Sequence, residues 1–312
     1  MTRVLALAAL IFPPGCAKDG GSAVEDEIQK IAEGKNAAVG AAFLLDGRLF
    51  KFNDEKQYPL MSVFKIHVAF AALKKMERER ADLREKIRIS PSMMRQGTYS
   101  PMRERHPDGV TLPMSELVRF CVSESDNNAC DILIEYAGGI GRVAAEAESL
   151  GVTDFALSET EESMHADIEK CYNNTASPSH AVRLLNAIFN EKPLEAPYAG
   201  LLKDAMLRAA TGKDKIRAGL PPEIPLAHKT GSSDRKADGI KTGDNDAGFF
   251  TLPDGRECFI AVFIRDSAET DKTNAKIIAD IAKAVYAHAA NGGAATQAKR
   301  LEGAPGQGGA HP

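Results

Sequence analysis

The stretch Ala37–Phe52 reads AAVGAAFLLDGRLFKF and consists of two apolar runs joined at Asp46-Gly47. An Asp-Gly pair between apolar runs is the strongest short-range signal of a β-hairpin, so we predict strands over Ala37–Leu45 and Arg48–Phe52. Strand patterns return only late in the chain, at Ile224–Lys229, Ala247–Leu252 and Cys258–Arg265. The strands therefore come from the two ends of the chain.

Helical patterns fill the sequence between these two groups of strands. Short connections favour antiparallel pairing, so the terminal strands are expected to form one five-stranded antiparallel sheet. Helices predicted at Val24–Glu33 and Thr270–His288 would cover one face of it. The predicted fold is therefore α+β with three α/β/α layers: a sheet lobe (residues 24–60 and 213–288), an all-helical lobe (residues 61–212), and a cleft between them.

The composition is that of an ordinary globular protein. Of the 312 residues, 44% are hydrophobic and 26% are charged, which excludes global disorder. The 43 acidic residues outnumber the 39 basic ones, and a net charge of -4 argues against nucleic-acid binding. We find no apolar run of about 18 residues that could cross a membrane.

Both ends of the chain are expected to lie outside the catalytic fold. Arg3 followed by the apolar run Val4–Phe12 predicts a signal peptide over residues 1–16, and hence export. Cys16 fits either a lipidated cysteine or a small-x-small cleavage site, and Pro13-Pro14-Gly15 disfavours a buried N-terminal helix. Residues 289–312 are rich in Gly and Ala and are expected to be flexible.

The first candidate motif is Ser62-Val63-Phe64-Lys65, at the start of a long helical pattern. The i, i+3 spacing places Ser62 and Lys65 on one helix face, where a base can activate a serine hydroxyl. Taken alone, a Ser-x-x-Lys match is a weak signal, because Ser233-Asp234-Arg235-Lys236 has the same pattern. A serine and a lysine on the surface would explain either match.

The second motif, Ser125-Asp126-Asn127, lies between two helical patterns and could relay a proton and bind a carbonyl. It could equally be a helix N-cap, and the two roles are compatible. The third motif, Lys229-Thr230-Gly231, ends a predicted strand and could hold a carboxylate. We reject Lys241-Thr242-Gly243 as its equivalent, because that segment is expected to be a connection before the strand at Ala247–Leu252.

In their residues and in their order along the chain, the three motifs resemble those of the penicillin-recognising serine enzymes, specifically class A β-lactamases. The resemblance runs from about Val24 to His288. Further segments resemble the extended-spectrum, cephalosporinase-like subgroup: Gln96-Gly97-Thr98-Tyr99-Ser100-Pro101, Asn128-Ala129-Cys130-Asp131 and Asn245-Asp246-Ala247-Gly248. The resemblance implies the β-lactamase/D,D-peptidase fold, a monomer in the Gram-negative periplasm, and penicillins or cephalosporins as substrates.

The resemblance also assigns the residues of the acylation step. Ser62 would attack the lactam carbonyl, Lys65 would help to deprotonate Ser62, and Ser125 would pass a proton to the lactam nitrogen. The backbone N–H groups of Ser62 and Ser232 would form the oxyanion hole.

Substrate-binding roles follow in the same way. Asn127 would bind the amide of the acyl side chain, and Tyr99 would line the mouth of the cleft. Lys229, Thr230 and Ser232 would hold the substrate carboxylate, with Lys215 as a weaker candidate for additional positive charge. Tyr99 could instead be a half-buried loop aromatic.

The deacylating base has to be chosen among several acidic residues, because the family's usual Glu-x-x-x-Asn pattern is absent from the expected loop. We choose Glu161 as the base and His165 as co-orienter of the water, since Glu161-x-x-Met164-His165 matches the subgroup. Glu162 and Glu169 are the alternatives, and a solvated acidic loop would explain all three.

Two further features concern stability. We hypothesise that Asp131 accepts hydrogen bonds from Asn174 and from neighbouring backbone, replacing the Arg–Asp pair usual in the family. Cys121, Cys130, Cys171 and Cys258 show no metal-like spacing, and no disulfide is predicted. Cys121, Cys130 and Cys258 lie in apolar patterns and are interpreted as buried packing residues. Cys171 does not lie in such a pattern.

The sequence gives no sign of a metal or an organic cofactor. Three activities remain compatible with the motifs. The chain could be a β-lactamase conferring resistance, a penicillin-binding D,D-peptidase, or a non-hydrolysing sensor that acylates and stops. Deacylation distinguishes the first activity from the other two.

Overall fold

A computed structural model describes residues 23–302, with side chains described for residues 23–291. The predicted signal peptide, including Cys16, lies outside the described residues, as do residues 303–312. Along the described part of the chain, no helix combines the length and apolarity that a bilayer crossing requires.

The strands and helices follow the predicted order. The strands are β1 (Ala38–Leu45), β2 (Arg48–Phe52), β3 (Tyr58–Pro59), β4 (Lys86–Ile89), β5 (Val110–Pro113), β6 (Phe155–Ala156), β7 (Thr175–Ala176), β8 (Leu226–Ser232), β9 (Lys241–Thr251) and β10 (Glu257–Ser267). The helices are α1 (Ala23–Ala32), α2 (Lys65–Glu79), α3 (Pro101–Arg105), α4 (Met114–Val122), α5 (Asn127–Ala137), α6 (Ile140–Glu148), α7 (Glu161–Ala166), α8 (Pro178–Asn190), α9 (Ala196–Leu207), α10 (Ile216–Gly219) and α11 (Asp271–Glu302).

The main sheet has five antiparallel strands within the described residues, in the order β2-β1-β10-β9-β8. The hairpin predicted at Asp46-Gly47 is present, and Leu45 pairs with Arg48 across it. Because β1 pairs with β10, the two chain ends close one sheet. The predicted α+β fold is confirmed.

Two hydrophobic cores divide the molecule into layers. On one face of the sheet, apolar side chains of α1, α10 and α11 pack against β1, β9 and β10. On the other face, α8 packs on the sheet and joins the larger core of the helical lobe. Helix α2 is the centre of that lobe, with most of its length buried among α4, α5, α6 and α9. The three-layer arrangement is therefore present, and α2 carries its first residue, Lys65, to the boundary between the lobes.

The start of β9 corrects one sequence-based expectation. We expected Lys241-Thr242-Gly243 to lie in a connection before a strand starting at Ala247, but β9 begins at Lys241. Three buried polar side chains near its start each have a partner: Asp244 binds Lys215, Asn245 binds the carbonyl of Pro59, and Asp246 binds His228. A polar run can form a buried strand when neighbouring elements supply these partners.

The last helix also differs from the expectation. The sequence predicted a helix end near His288 and a flexible segment after it, whereas α11 continues to Glu302. The extension is rich in alanine, the best helix former. The pair Gly292-Gly293 lowers helix propensity by about 1 kcal/mol per residue without forcing an end.

Cys121, Cys130, Cys171 and Cys258 are free thiols, and all four are buried. The sequence pattern left Cys171 apart from the other three, but its side chain packs in the core of the helical lobe as well.

A buried histidine pair joins the two longest helices of the helical lobe. The rings of His67 of α2 and His180 of α8 are parallel, with centroids 5.3 Å apart, and their Nε2 atoms share a hydrogen bond at 3.0 Å. Burial, reinforced by the neighbouring His180, holds the pKa of His67 well below its usual range. Burial and Arg183 lower the pKa of His180 to about 3. Both rings are therefore neutral at physiological pH.

This pair predicts acid sensitivity of the fold. Unfolded histidines take up protons as the pH falls through about 6.5, while the folded pair stays neutral, so the unfolded state binds more protons. The free energy of unfolding should have its full value above about pH 7. As the pH is lowered further, it should decrease by up to about 1.4 kcal/mol per pH unit for each histidine. Urea unfolding between pH 4.5 and 7.5 measures this slope.

The double variant His67→Leu/His180→Leu should have a shallower slope than wild type. The variant His106→Gln, which changes a histidine outside the pair, is the matched control and should keep the wild-type slope. An unchanged slope in the double variant would show that the pair does not cause the acid sensitivity.

Candidate active site

Ser62 lies on a short 3-10 turn, Met61–Phe64, that leads directly into α2. The sequence predicted that Ser62 itself opens the α-helix, but the α-helix begins at Lys65. Met61 has a φ of 47°, which is uncommon for a residue other than glycine, and it is buried. The side chain of Asn245 donates to the carbonyls of Pro59 and Leu60, at 2.7 and 3.1 Å, and so holds the chain just before the turn.

Lys65 is fully buried below Ser62, with 0% of its surface exposed. Its Nζ donates to the Ser125 carbonyl at 2.6 Å and to Asn127 Oδ1 at 2.7 Å, and lies 2.9 Å from Glu161 Oε1. Burial lowers the pKa of Lys65, but the Glu161 carboxylate and the buried thiols Cys130 and Cys121 outweigh burial, so the pKa is raised overall. Lys65 is therefore a buried ammonium that holds three segments together.

Glu161 contacts both members of the first motif. Ser62 Oγ donates a hydrogen bond to Glu161 Oε1 at 3.3 Å, and the same oxygen forms the ion pair with Lys65 Nζ. A hydroxyl beside a carboxylate and an ammonium is the arrangement that activates a serine as a nucleophile.

Ser125 connects Lys65 to a second buried lysine. Its Oγ accepts hydrogen bonds from Lys229 Nζ at 2.8 Å and from Lys65 Nζ at 3.4 Å. Burial and the nearby Lys65 charge lower the pKa of Lys229 to about 7. The hydroxyl of Ser125 thus lies between two amines, one of which loses its proton close to neutral pH.

Asp126 and Asn127 act on opposite sides of the same turn. Asp126 caps α5 through its bond to the Ala129 N–H at 2.8 Å, so the N-cap expected from sequence is present. Asn127 accepts from Lys65 and donates to Thr98 Oγ1 at 2.7 Å, which fixes the orientation of its amide. Tyr99, the next residue after Thr98, is 55% exposed at the mouth of the cleft.

Strand β8 forms the opposite wall. A Cβ on Gly231 would lie 2.6 Å from the Leu60 carbonyl oxygen and 3.0 Å from the Ser62 nitrogen, so glycine is required for this close approach. Thr230 shares a hydrogen bond with Thr211 at 2.6 Å. Ser232 is exposed to the cleft, and its hydroxyl donates to Asp244 at 3.2 Å.

The loop that carries Glu161 is built around α7. Thr160 caps α7 in a reciprocal capping box with Ser163. The Asp131 carboxylate accepts the backbone N–H groups of Glu161 and Glu162, at 2.8 and 2.9 Å. The position of Glu161 thus depends on one side chain of α5.

The hypothesis for Asn174 needs correction. Asp131 accepts backbone N–H groups as expected, but Asn174 does not reach it. Asn174 Oδ1 instead accepts from the N–H groups of Ser158 and Glu159 at 2.9 Å, and Nδ2 donates to the Glu159 carbonyl. Both side chains are short, so each holds a different end of the loop: Asn174 its entry and Asp131 its helix.

The alternative acidic residues point elsewhere. Glu162 pairs with Arg95 on the surface, and Glu169 pairs with Lys236 at 3.4 Å in a separate depression beside Tyr172. His165 is exposed and lines the cleft beside Gly97, with Nε2 3.7 Å from the position that a Cβ would take there.

The structure gathers the predicted residues around one cleft of about 460 Å³. Eight of them line it: Ser62, Tyr99, Ser125, Asn127, Glu161, His165, Thr230 and Ser232. The other two, Lys65 and Lys229, lie buried beneath its floor. Ser233-Asp234-Arg235-Lys236 belongs to the turn between β8 and β9, where Arg235 pairs with Asp271.

Sequence reasoning missed the polar residues that support the cleft from behind. Thr98 and Thr211 orient Asn127 and Thr230, and Asp244 contacts Ser232. The alternation of Asp244 and Asp246 around Asn245 was the available signal, because one strand face with two carboxylates must find cations or donors when it is buried.

Comparison with known proteins gives consistent matches over nearly the whole chain. Residues 23–289 match the family model described as the β-lactamase enzyme family. A β-lactamase of Bacteroides uniformis is 46% identical over 272 residues, covering 85% of this chain and 90% of that protein. The extended-spectrum β-lactamase PER-1 of Pseudomonas aeruginosa is 34% identical over 266 residues, covering 84% and 86%. A crystal structure of a class A β-lactamase from Bacteroides cellulosilyticus DSM 14838 is 41% identical, with a TM-score of 0.84 and coverage of 86% and 97%.

The contacts of Asp131 predict a specific loss of order in the loop. In the variant Asp131→Ala, two N–H groups of α7 lose their acceptor, which should cost about 1–3 kcal/mol of stability. Hydrogen exchange measured by mass spectrometry should be faster over residues 158–166 and unchanged in the main sheet. The variant Asp108→Ala, on an exposed loop, is the matched control. Wild-type exchange over residues 158–166 in Asp131→Ala would contradict this assignment.

Proposed function

Because the chain belongs to the class A β-lactamases and hydrolyses β-lactams, we propose that Ser62 is its nucleophile and that Glu161 activates the deacylating water. The observation that carries this proposal is the position of Glu161 Oε1, 3.3 Å from Ser62 Oγ and 2.9 Å from Lys65 Nζ. A single carboxylate oxygen therefore meets both the hydroxyl and the buried ammonium.

In the acylation step, Ser62 Oγ attacks the lactam carbonyl and gives its proton to the Glu161 carboxylate, while the Lys65 ammonium assists by stabilising the developing negative charge. The backbone N–H groups of Ser62 and Ser232 stabilise the oxyanion, and removal of one such donor typically costs about 10²–10³ in rate. The C–N bond of the lactam then breaks, and Ser125 gives its proton to the departing nitrogen. Ser125 takes a proton from Lys65, and Lys65 recovers one from Glu161, so Glu161 is again a carboxylate before deacylation. Ser125 is supported in this role by its hydrogen bond from Lys229.

Substrate binding uses the two walls of the cleft. The exposed ring of Tyr99 is available to substrate rings, and one N–H of Asn127 stays free of Thr98 for the amide of the acyl side chain. On the β8 wall, Lys229, Thr230 and Ser232 bind the substrate carboxylate. Penicillins and cephalosporins both carry these groups.

Deacylation separates this function from acylation alone, as in a D,D-peptidase domain or a sensor. Glu161 takes a proton from a water that attacks the ester carbonyl of the acyl-enzyme. The ester C–O bond then breaks, and Glu161 returns the proton to Ser62 Oγ, which regenerates both residues. His165 lines the same cleft and orients this water. The two other acidic candidates, Glu162 and Glu169, pair with Arg95 and Lys236 and do not line this cleft, which favours Glu161.

The organisation of the whole chain is part of the proposal. Residues 24–288 form the catalytic unit, with a sheet lobe (residues 24–60 and 213–288) and a helical lobe (residues 61–212). From the pattern of residues 1–16 we infer export to the periplasm, and from the resemblance to the family we infer a monomer. A lipid anchor at Cys16 is tested by metabolic labelling with a fatty-acid analogue. The wild-type protein should incorporate the label, and the variant Cys16→Ser, treated in the same way, should not.

The roles of Ser62 and Glu161 predict a trapped intermediate. The variant Glu161→Gln should still acylate in one stoichiometric burst with nitrocefin, more slowly than wild type, because Lys65 is no longer held protonated by Glu161 and can accept the Ser62 proton. The variant should then stall, because the deacylating water has lost its base. Intact-protein mass spectrometry should show the added mass, and peptide mapping should place it on Ser62. The wild-type enzyme should turn over continuously.

Three variants serve as controls. Glu162→Gln and Glu169→Gln should turn over nitrocefin at rates within about threefold of wild type, since neither carboxylate meets Ser62. Ser62→Ala should show no burst. Rapid turnover by Glu161→Gln would refute Glu161 as the base, and a stable adduct on wild-type enzyme would refute the hydrolase.

The lowered pKa of Lys229 predicts a pH dependence. Lys229 is charged below its pKa of about 7 and neutral above it, so its attraction for a substrate carboxylate is lost as the pH rises. For benzylpenicillin, kcat/KM should fall above about pH 7 with one deprotonation. The variant Lys229→Arg keeps its charge and should lose this alkaline decline. An identical decline in Lys229→Arg would assign the titration to another group.

A further inference from the structure

Asp244 lies directly behind the β8 wall of the cleft, which carries the proposed carboxylate-binding residues. It pairs with Ser232 in the register of β8 and β9, so the two side chains share one face of the sheet. Ser232 is exposed to the cleft, whereas Asp244 is only 1% exposed. No role in the proposed reaction has been given to this buried carboxylate.

The first group that Asp244 holds is the hydroxyl of Ser232. Ser232 Oγ donates to Asp244 Oδ1 at 3.2 Å. A hydroxyl has one proton, so Ser232 then presents only lone pairs to the cleft. Lone pairs repel a substrate carboxylate.

The second group is the ammonium of Lys215, which lines the same cleft. An ammonium has three N–H donors, and acceptors occupy all three positions around Lys215. These are Asp244 Oδ1 at 2.6 Å, the Asn245 carbonyl at 3.2 Å and the Gly231 carbonyl at 3.4 Å. Lys215 is therefore a cation beside the substrate with no donor to spare.

The third group that faces Asp244 is a second cation, Lys241. Lys241 Nζ is 3.5 Å from Asp244 Oδ2 and 3.0 Å from Asp271 Oδ1. Asp271 is 66% exposed and lies on the outer side of Lys241, away from the cleft lining. Asp244 is thus the buried anion of this group and the one that contacts the cleft-lining residues.

Resting on the proposed carboxylate-binding role of this wall, we infer that Asp244 sets substrate specificity by competing with the substrate carboxylate for Ser232 and Lys215. The ionised side chain weakens the binding of anionic β-lactams and leaves uncharged ones unaffected. Asp244 acts through Ser232 and Lys215 and is a positioning residue. Lys215, considered from the sequence as added positive charge, is neutralised by it.

The test compares benzylpenicillin with its uncharged methyl ester. The variant Asp244→Asn keeps the shape of the side chain and removes its charge. It should lower the ratio of KM for the acid to KM for the ester by about five- to tenfold, the effect of removing one nearby charge. The change should lie in KM for the acid, with kcat nearly unchanged, and should shrink as salt is added.

Two further variants identify the cause. Asp271→Asn removes a carboxylate from Lys241 outside the cleft and should leave the KM ratio at its wild-type value. Lys215→Met/Asp244→Asn removes a neutral pair and should return the ratio to within about twofold of wild type. If Asp244→Asn fails to fold, the double variant still tests the role of Asp244, because removing both members of the pair leaves no unpaired charge at position 215.

The outcomes separate the two proposals. An unchanged KM ratio in Asp244→Asn, or a ratio raised more than about fivefold in the double variant, would overturn the role of Asp244 alone. The second result would mean that Lys215 binds the substrate carboxylate in the wild-type enzyme. Equal salt dependence of KM for the acid and the ester in wild type would instead overturn the proposed carboxylate site.

Discussion

The buried ammonium of Lys65 is the interaction on which the rest of the site depends. Two segments that are distant in sequence supply three oxygens to it: Ser125 and Asn127 of the second motif, and Glu161 of the loop around α7. A charge with 0% exposure is stable only if such partners are in place. The requirement to satisfy this one cation therefore fixes the serine, the inter-helix turn and the acidic loop relative to each other.

A second network supports the other wall of the cleft, and it is built around buried carboxylates and an amide instead of a buried ammonium. The start of β9 carries three consecutive polar residues, of which Asn245 binds the chain before Ser62 while Asp244 and Asp246 bind Lys215 and His228. These bonds let β8 lie against the serine turn, where Gly231 leaves room for the contact. The same bonds decide how much positive charge reaches the cleft. Stability and substrate preference are thus linked through one buried strand segment.

The sequence predicted the features that local patterns encode. The hairpin at Asp46-Gly47, the final strands and the helices of the middle segment follow from turn chemistry and apolar periodicity, and the motif order indicated the family. Features that depend on distant partners were wrong or missed. Lys241–Asp246 resembles a polar connection until Lys215, Pro59 and His228 are placed beside it. Asp131 and Asn174 were joined because both were expected near the loop, although each holds a different part of it.

The central claim is that Lys65 and Glu161 stabilise each other as a buried ion pair. A double-mutant cycle on the free energy of urea unfolding, using Lys65→Met and Glu161→Gln, measures this coupling directly. Lys65→Met alone leaves a buried carboxylate unpaired and should cost about 3–5 kcal/mol, whereas the same change in Glu161→Gln should cost at least about 2 kcal/mol less. Additive effects of the two substitutions would contradict the account.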